Sequence, residues 1–191
     1  LGGGGAERVA QIIGDYYVGQ GHNVYYFLGD TAVRQVYSVK GKVVNTGIKS
    51  CIAGNVLGNV QIWERLVKAS FRMRWYKSKY KIDTAISFME EFNYINILSK
   101  GKEQVITRIC TVLSAEGEWI TPLFSWQFVH FFYPRADKIV VMSVYVKEDM
   151  NKNFGIPMNK IAKIPNPVSD IDTNIPNRKW SYGNKVIITV G

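Results

Sequence analysis

From residue 84 onward the chain alternates short apolar runs with stretches of helical spacing, and this alternation constrains its fold more than any other feature. Thr84-Ala-Ile-Ser-Phe88, Gln104-Val-Ile-Thr-Arg-Ile109 and Lys138-Ile-Val-Val-Met142 read as buried strands, with a last short one at 161–164. Between them lie helical patterns. One runs from Glu90 to Ser99 with Phe92, Ile95 and Leu98 on one face. An aromatic one spans 122–133 and carries Phe124, Phe128, Phe131 and Phe132. A third is capped by Ser143 and ends at Gly155, with Ile156-Pro157 beyond it. Strands alternating with helices mean βαβ units, so the expected class is α/β: a Rossmann-like, mostly parallel sheet flanked by helices.

The N-terminal part continues the theme. Leu1-Gly-Gly-Gly-Gly-Ala-Glu-Arg8 runs directly into a helical pattern over 6–19, whose apolar positions are Val9, Ile12, Ile13, Tyr16 and Tyr17. Glycines before a helix N-terminus leave unpaired N–H groups open to an anion, above all a phosphate; the alternative is a flexible tail. A P-loop is excluded, because no Gly-Lys-Ser/Thr follows. The dinucleotide fingerprint is excluded too, because Glu7 stands where a third small residue is needed and no strand precedes the glycines. Gly19 and Gly21 end the helix, His22 falls in the turn, and 24–28 reads as a strand. Short strands are expected at Val33–Val39 and Lys42–Asn45, and a loop at 53–59.

Residues 60–80 form a second strong helical pattern. Val60, Trp63, Val67, Phe71 and Trp75 make an apolar stripe, and Arg65, Lys68, Arg72, Arg74, Lys77, Lys79 and Lys81 crowd the rest, with Glu64 the nearby acid. One reading is a solvated polar face. The other is a basic amphipathic helix suited to an anionic membrane surface.

The 191 residues suit one domain, or one lobe of a two-lobed protein, and the net charge of +9 favours anionic partners without choosing among them. No apolar run is long enough to span a bilayer, and no signal peptide is visible. Cys51 and Cys110 form no metal-type pair and there are two histidines, so no metal site is expected; reduced thiols point to a cytoplasmic setting.

In an open parallel sheet, ligands bind beyond the carboxyl ends of the strands. This rim supplies Glu90 as a catalytic candidate. The acceptor-binding candidates are Glu91, Asn93, Arg108, Thr111, Ser143 and Tyr145. For Glu90 and Glu91 the alternative is that they complement a helix dipole. Cys110 is on the same rim, where a small buried hydrophobe is the commoner role for cysteine. His130 lies within the aromatic helix and is expected to pack.

Several stretches occur together in a recognisable order: Gly3-Gly-Gly-Ala-Glu-Arg-Val9, Gly21-His-Asn-Val24, Asp83-Thr-Ala-Ile-Ser-Phe88, Ala136-Asp-Lys-Ile-Val-Val-Met-Ser143 and Val146-Lys-Glu-Asp149. Asn153-Phe-Gly-Ile-Pro157, Lys160-Ile161, Pro165-Asn-Pro-Val168 and Lys185-Val-Ile-Ile-Thr-Val-Gly191 follow. Together they resemble the N-terminal domain of the retaining GT-B glycosyltransferases of family 4, also called group 1.

The resemblance implies two Rossmann-like domains facing a cleft, with the acceptor bound mainly by the N-terminal one. It implies a Rossmann-like acceptor-side domain over 1–168, an interdomain linker over 169–184 and the first strand of a donor-binding domain at 185–191. It further implies that the first strand of the sheet is missing here, and 185–190 is the strand expected to fill the gap. Gly3, Gly4 and Gly5 would approach the donor diphosphate. Cys110 takes the position of a family histidine that contacts the reacting sugar, and a thiol cannot reproduce the hydrogen bonding of a neutral imidazole.

The implied activity is metal-independent, retaining transfer of a hexose from a nucleotide-sugar (NDP-hexose, a substrate; no cofactor) to a glycan or lipid-linked acceptor in surface polysaccharide synthesis. The protein would sit peripherally on the inner face of the cell membrane through Arg65, Lys68, Arg72 and Arg74, with no nucleic acid partner, and this lobe alone would be inactive. The alternative function is a non-catalytic basic module for nucleic acid or another polyanion; the chain lacks the repeated aromatic-plus-basic pattern of single-strand binders.

Overall fold

A computed structural model describes residues 3–29, 36–48, 59–115 and 126–167. The expected linker over 169–184 and the strand at 185–190 lie outside the described residues, as does the expected loop at 53–58. The elements, in chain order, are α1 (Gly5–Gly19), β1 (Tyr25–Leu28), β2 (Lys42–Asn45), α2 (Asn59–Lys79), β3 (Thr84–Phe88), α3 (Glu90–Leu98), β4 (Gln104–Ile109), α4 (Trp126–Phe132), β5 (Lys138–Val141), α5 (Val144–Lys152) and β6 (Ile161–Lys163).

Among the described residues every strand pairing is parallel. Parallel strands need crossovers, and α3, α4 and α5 supply them within the sheet β3–β4–β5–β6. Ile86 faces Ile106, Ile106 faces Lys138, and Ile139 faces Ile161. β1 and β2 form a separate two-stranded parallel sheet. In the doubly wound order 3-2-1-4-5-6, the strand in front of the first helix lies between the strands numbered β1 and β3 here, and the described strands divide at that position. The architecture is α/β and Rossmann-like, as expected.

Tyr94, Ile95, Ile109, Leu113, Tyr133, Ile139, Met150 and Phe154 form the centre of the core. Ser143 caps α5 by accepting from the Val146 N–H at 3.2 Å. That helix stops at Lys152 rather than Gly155; Gly155 (φ +67) reverses the chain, and the N–H groups of Gly155 and Ile156 return to the carbonyls of Asn151 and Met150. Residues 36–39 are not the strand expected there. They cross α1 instead, where the Gln11 side chain donates to the Ser38 carbonyl and the Lys40 N–H donates to the Asp15 carboxylate. α1 itself leaves Tyr16 and Tyr17 exposed and presses Gly14 against Tyr26, whose hydroxyl oxygen would lie 1.8 Å from a Cβ at that position. Burial, with Asp15 nearby, pushes the Tyr26 hydroxyl up to about 12.

α2 is turned the other way from its most conspicuous stripe. It buries Ile62, Leu66, Ala69 and Met73, while Trp63, Val67, Phe71 and Trp75 face outward, Phe71 at 72 % and Trp75 at 54 % exposure. The helix carries two apolar stripes of the same period. The one with smaller side chains packs on α3, and the same register brings Lys77 to its partners. Lys77 is therefore not on the basic face. It is 5 % exposed, and its Nζ donates to Glu103 Oε1 (2.9 Å), Asn96 Oδ1 (2.7 Å) and the Asn96 carbonyl (3.0 Å).

A buried ion pair of this kind is damaged most when one partner is removed. Lys77→Met leaves Glu103 buried without its counter-ion and should lower stability by about 3–5 kcal/mol in urea unfolding at neutral pH; a loss under about 1 kcal/mol would place the pair with ordinary surface bridges. Burial alone raises the Glu103 carboxyl. The Lys77 hydrogen bond and charge, with the N–H groups of Glu103 and Gly101, more than reverse this and hold it below the ordinary range. A carboxyl depressed by folding contributes fully at neutral pH, and its contribution disappears as pH falls below the ordinary glutamate value of about 4.3 and through the folded one. The acid limb of the stability curve should therefore be shallower in Lys77→Met than in the parent chain.

Candidate active-site rim

The carboxyl ends of β3, β4 and β5 place Met89, Cys110 and Ser143 on one rim. At the end of β3 the chain turns into α3 within a single residue. Met89 takes φ +72, ψ 148, a region that side chains other than glycine's rarely enter, and it offers α3 no side-chain cap. Strain of this type is kept where the surroundings over-determine the backbone, commonly beside a functional site.

Beneath this turn runs a series of buried side-chain hydrogen bonds. Ser87 Oγ donates to Asn93 Oδ1 (2.7 Å), and Asn93 Nδ2 donates to the Arg108 carbonyl (3.0 Å) and the Tyr133 hydroxyl (3.2 Å). Asn96 Nδ2 donates to Ser87 Oγ (3.1 Å) and to the Ala85 carbonyl (3.2 Å), which joins this group to Lys77 and Glu103 below. Asn93 is thus corrected from an acceptor-binding candidate to a strut. It is fully buried, and both ends of its amide are engaged in tying α3 to the strand ends. Glu91 is also buried in the first turn of α3.

Arg108 is 4 % exposed. Its Nη2 donates to Asn166 Oδ1, its Nη1 to Cys110 Sγ at 3.6 Å, and the guanidinium lies 5.7 Å from the centre of the Phe88 ring. Asn166 lies between two prolines after β6, and its contact with a side chain 58 residues away leaves no local signal in the sequence. Cys110 and Thr111 are exposed, and Tyr145 projects from the first turn of α5. Burial pushes the Cys110 thiol up; the Arg108 charge opposes this, and Glu90 adds to it.

The glycine loop lies at the start of α1. Gly4 is the N-cap with an ordinary extended backbone (φ −82, ψ 165), and none of Gly3, Gly4 and Gly5 needs positive φ. A Cβ at Gly4 would meet Glu7 Oε2 at 2.3 Å, so the Glu7 carboxylate now lies over this helix N-terminus. A Cβ at Gly5 would meet nothing within 4 Å. The carboxylate thus complements the positive end of the helix dipole.

Of the basic residues expected on the surface of α2, Arg65, Lys68, Arg72 and Arg74 are all exposed. Lys68 is paired with Glu64, and Arg74 donates to the Lys100 carbonyl at the end of α3. His22 sits in the turn after α1, edge-on to Tyr17, and His130 donates through Nδ1 to the Phe154 carbonyl at 3.0 Å. No helix among the described residues is long and apolar enough to cross a membrane.

If Met89 is strained, removing its Cβ relieves the strain. Met89→Gly should raise stability by about 1 kcal/mol despite the entropy cost of glycine, read as a higher urea midpoint at unchanged slope. A lower midpoint would mean that contacts of the methionine side chain outweigh the backbone term.

Comparison with known proteins supplies the wider frame. No curated protein matches the chain. A crystal structure of a glycosyltransferase from Rickettsia africae ESF-5 superposes with a TM-score of 0.59 at 17 % identity, over 86 % of this chain and 40 % of that one. The likeness is one of fold, and the chain spans well under half the length of that structure. The model for Glycosyltransferase Family 4 matches residues 3–170. With the parallel sheet, its rim and the glycine loop before α1 all inside the matched span, the chain belongs to Glycosyltransferase Family 4.

Proposed function

We propose that this chain is the acceptor-side domain of a retaining glycosyltransferase, which moves a hexose from a nucleotide-sugar to a glycan or lipid-linked acceptor in surface polysaccharide synthesis. The observation that carries the reading is the family match over a parallel sheet whose strand ends form one polar rim. On this reading the acceptor lies along Cys110, Thr111, Ser143 and Tyr145, and Gly3, Gly4 and Gly5 leave room for the donor diphosphate. The task of the protein is then to stabilise charge on the departing nucleotide and to hold the acceptor in line. Glu90, half-buried in the first turn of α3, is the rim carboxylate placed closest to such a role in sequence.

The same reading places the protein peripherally on the inner membrane face, and α2 supports it. At roughly 100° per residue, its exposed surface divides into an apolar arc (Trp63, Val67, Phe71, Trp75) and a basic arc (Arg65, Lys68, Arg72, Lys79). Lys79 also lies 4.7 Å from the Trp75 ring centre. Val67, Ser70, Phe71, Arg74 and Leu98 line a shallow groove between α2 and α3. Aromatic residues beside cations suit the headgroup region of an anionic bilayer.

Two measurements test the proposal. In the full-length enzyme, with labelled nucleotide-hexoses and membrane acceptor, Cys110→Ser should keep the transfer rate within about tenfold; a loss of about 10²–10⁴, typical of a removed general acid or base, would return the position to a catalytic role. Sedimentation with phosphatidylglycerol vesicles should show binding by the parent chain. Reversing Arg65, Lys68, Arg72 and Arg74 together should weaken it at least about 100-fold, at about 1 kcal/mol per charge, and Phe71→Ser with Trp75→Ser should weaken it even at low salt. Unchanged binding in both variants would remove the membrane part of the proposal.

A further inference from the structure

Two cations are buried among the described residues, and the fold treats them differently. Lys77 receives Glu103 at 2.9 Å. Arg108, equally buried, has no carboxylate within ion-pair distance among the described residues. Its contacts are the Asn166 amide oxygen, the Cys110 thiol and the Phe88 ring, all neutral. A buried charge without a counter-ion is costly, and a guanidinium has five donors, of which two are engaged here. Its surroundings open outward, because both Asn166 and Cys110 are exposed. They stand at the carboxyl end of the sheet, where ligands of this architecture bind.

We infer that Arg108 is the seat of an anionic group on the acceptor, a phosphate ester or a uronic carboxylate. Asn166 holds the guanidinium in the free protein and gives way when the anion arrives. The planar fork of arginine matches both oxyanions through two parallel hydrogen bonds. The inference rests on the acceptor-side reading given above and adds to it a requirement that the acceptor be acidic. The nearest rim acid, Glu90, is felt by the Cys110 thiol, so Cys110 reports on charge at both groups.

Cys110 also provides the test. In a Cys51→Ser background it is the one remaining thiol, and its alkylation by neutral iodoacetamide can be followed in the intact chain. Glucose 6-phosphate or glucuronate should slow alkylation saturably, whereas glucose, UDP and sodium chloride at matched ionic strength should not; the stronger of the two acids identifies the oxyanion. Arg108→Gln should raise the half-protecting concentration at least about tenfold, as expected for a lost charged hydrogen bond, and Arg108→Lys should retain part of the protection. Arg108→Gln should also move the pH midpoint of alkylation upward, because a neighbouring cation is gone, which checks that the variant keeps the Cys110 surroundings folded; a purely structural arginine would leave the half-protecting concentration unchanged.

Absence of protection by either acid, or equal protection in Arg108→Gln, overturns the inference. Equal protection by UDP overturns the assignment to the acceptor, since the anion would then be the donor's. If Arg108→Gln does not fold, Arg108→Lys and the probe series on the parent chain decide. Failure here while the full-length enzyme still transfers sugar to a neutral glycan removes only the anion seat. Absence of transfer to any acceptor, with protection intact, removes the acceptor-side reading instead.

Discussion

The structure depends on a continuous set of buried polar contacts running along α3. It begins at Glu103 and Lys77, passes through Asn96, Ser87 and Asn93, and ends at the Arg108 carbonyl and the Tyr133 hydroxyl. It joins α2, α3, β3 and β4 in one register. An apolar core of similar volume would tolerate sliding of these elements. Here each donor meets its acceptor in one arrangement only, and a shift of one residue leaves several buried polar groups unpaired. Because the last member is the main chain of Arg108, the set that orders the interior also fixes the position of this buried arginine at the strand end.

That link explains a contrast between the two ends of the set. At the lower end, the buried cation has its carboxylate within the chain and the charge is balanced. At the upper end, the guanidinium is held by an amide and a thiol, and Met89, which follows β3 on the same rim, has a backbone of unusual geometry. A local departure from structural economy of this kind is the expected mark of a functional end in an otherwise consistent fold.

The fold was largely legible because strand and helix periods alternate cleanly after residue 84, and because Ser143, Gly19 and Gly155 sit at or near helix ends. Which face of α2 turns inward was not. Ile62, Leu66, Ala69 and Met73 repeat at the same spacing as Trp63, Val67, Phe71 and Trp75, so periodicity cannot rank them, and side-chain size points to the wrong one. The position of Lys77 decides the matter through Asn96 and Glu103, residues 19 and 26 positions away. The residues expected at the strand ends lie there. Which of them are buried was not legible, because the buried Asn93 and the exposed Tyr145 look alike in a chain read one residue at a time. The Arg108–Asn166 contact is a product of the β4–β5–β6 register, which no local pattern contains.

The division of the sheet carries a consequence of its own. Among the described residues, β1 and β3 each have a hydrogen-bonded neighbour on one side only. Both are free of charge and of proline: β1 is Tyr-Tyr-Phe-Leu, β3 is Thr-Ala-Ile-Ser-Phe, and Ile86 at the middle of β3 is exposed. These are the properties that natural edge strands avoid, since unpaired backbone beside β-branched and aromatic side chains templates further strands. Any strand that pairs with β1 or β3 therefore meets an uncharged, proline-free backbone edge, and a lysine placed at Ile86 would disfavour such pairing.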